Sequence, residues 1–139
     1  MELIGVMAQV AASSQAAQAH EQSGQAQAQA YRDQAEQAES KAKDEELIRL
    51  KNLREALASQ RAYWAAAGID STSGSPATIR ATSKENFELD QGAALINTRQ
   101  QVRSLNNSAD AAIRTGQIKA RGSLLSGVAS AANTYNSYK

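Results

Sequence analysis

The side chains able to do chemistry are few, and their spacing gives no catalytic constellation. His20 is the single histidine. It sits in an alanine/glutamine tract, with Glu21 adjacent rather than one helical turn away, so neither a metal pair nor an acid-oriented base is formed. No serine lies in the strand–turn–helix setting of a nucleophile elbow. Cysteine is absent, which removes disulfides and thiolate metal sites. Asp44-Glu45-Glu46 is a carboxylate run among basic residues and reads as a solvated helix face. Gly68 and Gly74 lack the lysine and the strand–helix context of a phosphate-cradling loop. No catalytic, cofactor-binding or metal-ligating residue is therefore assigned. No cofactor is expected, and an enzyme is the least favoured class.

Two features remain as contact sites. Between residues 99 and 121 the cations Arg99, Arg103, Arg114, Lys119 and Arg121 face only Asp110. This mildly basic stretch reads either as a solvated face or as a weak, transient contact to DNA phosphates. It has few aromatics nearby, so base stacking is not supported. The net charge of +1 supplies no general attraction to nucleic acid. Trp64, beside Tyr63, reads as a core residue on a leucine stripe, or as an aromatic anchor to a partner or a membrane interface.

These residues must be positioned by a framework with little bulk. Of 139 residues, 29 are alanine, 14 glutamine and 15 serine, and there is one Phe and one Trp. Alanine removes little apolar area from water, so thin helix–helix seams are expected instead of a thick core. The start of the sequence lacks a basic n-region, so no signal peptide is expected. No run of 18 apolar residues encodes an ordinary transmembrane helix.

The expected fold class is all-α: a long antiparallel helical hairpin, coiled-coil-like and oligomerising. Residues 1–30 form an Ala/Gln-rich N-terminal helix extension with a slightly apolar start (Leu3, Ile4, Val6, Met7, Val10). Residues 31–67 form the first hairpin helix, in which Leu50, Leu57 and Trp64 recur every seven residues, with Leu47 and Leu53 completing the stripe. Residues 68–76 form the loop. Gly68 fits the left-handed position past a helix end, Ser75 caps the next helix, and Pro76 takes its first position. Asp70 and Gly74 lie between them, and Ile69 is expected to fold back on the helix ends. Residues 77–115 form the second helix, with Ile79, Phe87, Leu95 and Val102 on its stripe. Residues 116–139 are a looser Gly/Ser/Ala-rich tail ending in Tyr135 and Tyr138, either frayed or suited to close packing and membrane contact.

Folding the two stripes about Thr72 pairs residues whose numbers total roughly 144. Trp64 then meets Ile79 or Arg80, Leu57 meets Phe87, Leu50 meets Ala94 and Leu95, and Leu47 meets Asn97 and Thr98. Such a hairpin leaves faces uncovered, so further copies, in a ring, or a larger assembly are expected to cover them.

The segment Gln60-Arg-Ala-Tyr-Trp-Ala-Ala-Ala-Gly-Ile-Asp-Ser-Thr-Ser-Gly-Ser-Pro76 is followed by Glu88-Leu-Asp90 and then Arg121-Gly-Ser-Leu-Leu-Ser-Gly-Val-Ala-Ser130. Together they resemble the small internal virion proteins, or ejection proteins, of T7-like short-tailed phages. The resemblance covers about residues 31–132, and the Gly-Ile-Asp…Ser-Gly-Ser-Pro loop is its most specific part. It implies a protein packaged inside the capsid near the portal, released before the genome, and assembled into a conduit at the host outer membrane. The implied partners are further copies, other ejection proteins, and the portal or tail. Two other classes compete with it. One is a soluble coiled-coil scaffold or adaptor with no membrane step. The other is a helical DNA-binding protein using the basic stretch.

Overall fold

A computed structural model describes residues 2–137, with side-chain environments for residues 7–133 other than Gln9. The side chains of Leu3, Ile4, Val6 and Tyr135, and the whole of Tyr138, lie outside this description. The described residues are all-α. Helix α1 spans Glu2–Ala66 and helix α2 spans Gly74–Ser137.

Local propensity explains their length. Alanine, glutamine, glutamate, lysine and arginine are strong helix formers, and no proline precedes Pro76. The Ala/Gln extension and the charged segment after residue 30 therefore run on as one helix. Intrahelical ion pairs support the exposed face: Lys41 with Glu45 (3.9 Å), Glu45 with Arg49 (3.5 Å) and Lys51 with Glu55 (3.8 Å). Exposed pairs at this spacing contribute only about 0.3–0.5 kcal/mol each.

The end of α1 is set by Gly68, whose φ is +69°. Its N–H donates to the Ala65 carbonyl (3.1 Å), and the Ile69 N–H donates to the Trp64 carbonyl (2.9 Å). These two bonds close the last orphan carbonyls in the Schellman arrangement. Ile69 thus turns back through its backbone, while its side chain stays 45% exposed.

The connection is held by Asp70. Its Oδ1 accepts from the Thr72 N–H (2.8 Å) and the Thr72 hydroxyl (2.7 Å), and its Oδ2 accepts from Ser73 Oγ (3.2 Å). Gly74 also adopts positive φ, +63°. Helix α2 begins at Gly74, ahead of the expected start at Ala77, so Ser75 falls inside the first turn instead of capping it. Pro76 is buried in that turn, where a missing N–H removes no intrahelical bond. The segment after Gly116, expected to loosen, stays helical to Ser137.

The chain divides into two compact units, each built from both helices. The first comprises Met1–Ala35 with Ser104–Lys139. Among the described residues its buried positions are small: Ala17, Gly24, Ala28 and Ala35 from α1, and Ala109, Ala112, Gly116, Ala120, Gly127 and Ala131 from α2. Ala28 and Ala109 are each 1% exposed, and Tyr31 and Ile113 pack against the cluster they form with Ala112. On α2 the inward positions 109, 112, 116, 120, 123, 127 and 131 repeat every eleven residues, a period that keeps one face of a nearly ideal helix turned inward.

The second unit is Glu36–Arg103. Its half-buried α1 positions include Glu46, Leu50, Leu53, Leu57, Gln60 and Trp64, at alternating steps of four and three. From α2 they include Arg80, Ser83, Phe87, Gln91, Ala94, Thr98 and Val102. Apart from Pro76, no residue of this unit reaches full burial. This seam is partly polar, and Gln91 Nε2 donates to Glu46 Oε1 across it.

Candidate functional site

The surfaces that the described residues offer for contact are the seams, the loop and the grooves beside them. In the first unit the close approach is made at Gly24 and Gly116. A Cβ added at Gly24 would fall 2.8 Å from the Ala112 carbonyl oxygen and 3.1 Å from the Gly116 Cα. One added at Gly116 would fall 2.8 Å from the His20 carbonyl oxygen. Only hydrogen fits at these two positions, because the obstructing atoms are backbone. Further along, a Cβ at Gly127 would overlap the Ser13 side chain. In the second unit Glu46 meets Gln91, numbers that total 137, about two helical turns from the register near 144 expected there, whereas in the first-unit seam the pairs Gly24–Gly116 and Ser13–Gly127 both total 140. The alanines and glycines that set this seam give no hydropathy contrast from which its register could be read.

In the second unit Leu50, Leu57, Trp64, Phe87 and Val102 are half-buried at the seam. Leu47, Ile79 and Leu95 are not: they remain 65%, 42% and 50% exposed. The reason for Leu47 is angular. Successive helical residues turn by about 100°, and the seam position is Glu46, so its neighbour is carried onto the flank. Sequence reasoning missed Glu46 and Gln60 as inward residues because they are polar, while Arg80 was one of the two residues expected opposite Trp64. Their signal was positional: Glu46 and Gln60 stand seven residues either side of Leu53. Gln60 Oε1 and Arg80 Nε are buried without a hydrogen-bond partner, while Arg80 Nη1 donates to the Ser71 carbonyl (3.3 Å) and ties α2 to the loop.

The loop residues Gly68, Asp70, Gly74, Ser75 and Pro76 come together at one end of this unit. The Thr72 hydroxyl, then the Thr72 N–H, hold the Asp70 carboxyl below its ordinary value of 3.8. Tyr63 and Trp64 meet edge-to-face at 5.2 Å, with Tyr63 exposed and Trp64 half-buried.

The five cations of the basic stretch do not form one surface within either unit. Arg99 and Arg103 border a groove of the second unit. Arg114 lines a shallow concavity of the first with Asn107, Asp110, Ala111 and Thr115. Arg121 follows Arg114 by seven residues and shares its helix face, whereas Lys119 lies well round the helix from both. The groove is larger, about 560 Å³, and lies between residues 39–49 of α1 and 91–103 of α2. Ala42, Ala94, Leu95, Thr98 and Val102 line it together with Glu39, Lys43, Glu46, Arg49, Gln91, Arg99 and Arg103.

Among the described residues no three His, Asp or Glu side chains are grouped to hold a metal ion. No helix of the described residues is long and apolar enough to cross a membrane. Compared with family models, curated proteins and solved structures, the chain shows no match.

Outside the seams, large apolar side chains stand in solvent. Leu89 and Ile96 are seven residues apart on α2, as are Ile118 and Leu125 further along, and all four are exposed. Each pair lies on the face of α2 turned away from the seam of its unit. These residues can make contacts that the hairpin itself leaves unmade.

Proposed function

We propose that this chain is an internal virion protein of the T7-like ejection type. It is packaged in the capsid, leaves before the DNA, and assembles with further copies, other ejection proteins and the portal or tail into a helical conduit at the host outer membrane. Its role is non-catalytic, and any contact of Arg99, Arg103, Arg114, Lys119 and Arg121 with passing DNA is weak and transient.

The observation that supports this reading is the nature of the seams. Among the described residues the fully buried ones are alanines, glycines and one proline, and no large side chain is completely enclosed. A helix pair joined this way loses little packing when pulled apart and can zip together again after passage through a narrow tail. The exposed Leu89, Ile96, Ile118 and Leu125 supply the apolar contacts that assembly would cover. The loop resemblance adds the phage context.

The purified full-length chain tests this directly. Mixed with liposomes of anionic lipid, it is expected to release an encapsulated dye and to form rings with a lumen under electron microscopy. A stable monomer that leaves liposomes intact ends the reading.

A second reading, a soluble coiled-coil scaffold, is favoured by the polar contact between Glu46 and Gln91 and by the lack of an apolar span among the described residues. Flotation separates the two, since a scaffold stays at the bottom of the gradient with no lipid bound.

A further inference from the structure

We propose that the groove of the second unit binds an anionic amphiphile, a carboxylate or phosphate carried on an alkyl chain. The site stands on its own residues, whether or not the chain acts in ejection.

Its size is that of a ligand site: about 560 Å³, within the range of roughly 300–1,000 Å³ for small-molecule pockets. Its walls, about 15 and 18 Å long at 1.5 Å per residue, match a medium-length alkyl chain laid along the helices. The floor is apolar. Ala42 and Ala94 keep it concave because they fill so little space, and Leu95 stays half exposed over it. Covering Leu95 and Val102 removes apolar area from water, which a small inorganic anion cannot do.

The rim supplies the second half of the recognition. Lys43, Arg99 and Arg103 border the groove, and none of them has an ion pair or side-chain hydrogen bond. The other basic residue of the rim, Arg49, is already paired with Glu45. Of the two acids in the lining, Glu46 accepts from the neutral Gln91 amide and keeps its charge, so Glu39 and Glu46 stand against three uncommitted cations and the rim is left net positive. The local field therefore favours an anion, and guanidinium groups bind carboxylate or phosphate oxygens through charge-assisted bonds. Apolar floor and cationic rim together select a ligand that has both parts.

Calorimetric titration of the full chain with dodecyl phosphate below its micellar concentration tests the assignment. Saturable binding is expected. The double variant Arg99→Gln/Arg103→Gln should weaken it about tenfold or more, from the loss of two charge-assisted contacts. Arg121→Gln, outside the groove, should leave it unchanged, and circular dichroism should show equal helicity in all three proteins. Dodecyl maltoside and inorganic phosphate, each lacking one half of the chemistry, should not displace the ligand. Three results overturn the proposal: equal affinity in the double variant, displacement by inorganic phosphate alone, or no amphiphile binding where an acidic amphipathic peptide does bind.

Discussion

The contact of Gly24 with Gly116 makes the sharpest prediction. Replacing glycine by alanine inside an exposed helix normally stabilises it by about 0.8–1.0 kcal/mol, through lower backbone entropy in the unfolded chain. Gly92 is such a site, since a Cβ there meets nothing within 4 Å. Gly92→Ala should therefore raise stability by about 1 kcal/mol. At Gly24 the same gain is opposed by a collision, with the new carbon only 2.8 Å from the Ala112 carbonyl oxygen. That oxygen belongs to a helix backbone and cannot rotate away, so the helices must separate locally. Overpacking of this kind costs about 1–3 kcal/mol, and separation also weakens the dispersion contacts of Ala28, Ala109 and Ala112. Gly24→Ala should accordingly lie about 1–3 kcal/mol below Gly92→Ala. In a chain of this length each kcal/mol moves the melting temperature by roughly 3 °C, so the two variants should differ by several degrees. Adding Gly116→Ala to Gly24→Ala should cost less than either alone, because the helices are already apart at that point. The assay is thermal melting followed by circular dichroism at one fixed protein concentration, since association would shift the midpoint. If Gly24→Ala proves as stabilising as Gly92→Ala, the helices do not approach there, and the register totalling 140 is wrong.

Two further outcomes follow from the second unit. Leu53→Ala, at a half-buried seam position, should lose about 1–2 kcal/mol in urea denaturation, somewhat under the usual cost at a fully buried leucine. Leu47→Ala, at a 65% exposed site, should change stability by less than about 0.5 kcal/mol; equal losses would mean the helix is phased differently. For the loop, the bonds from Thr72 and Ser73 hold the folded Asp70 carboxyl below 3.8. Its contribution is therefore complete above the unfolded value and is lost as pH falls through the folded one. The Thr72 amide resonance should shift in acid with a midpoint below 3.8, and Asp70→Asn should abolish that transition. A midpoint at or above 3.8 would show that the loop bonds do not form.

How far each feature could be read in advance followed from how much contrast its residues carry. Leu50, Leu57 and Trp64 stand out against charged neighbours, so the inward face of α1 in the second unit was visible. Glu46 and Gln60 share that face but are polar, and Leu47 was taken in place of Glu46. In the first unit the inward residues are alanine and glycine within an alanine-rich background, so their eleven-residue spacing had no amplitude to detect. The basic stretch from Arg99 to Arg121 was visible as composition. That only Arg99 and Arg103 border the apolar groove depends on where α1 lies beside them.

What the amino-acid order determined by itself is helix, turn and stop. Propensity acts residue by residue, and the left-handed glycines with Asp70 between them require no distant partner. What only the tertiary structure decided is register: which turn of α2 lies against which turn of α1. A leucine seam can slide by a turn and still bury leucines. The contact of Gly24 with Gly116 cannot, because a side chain brought to either place by a slide would collide with the facing backbone.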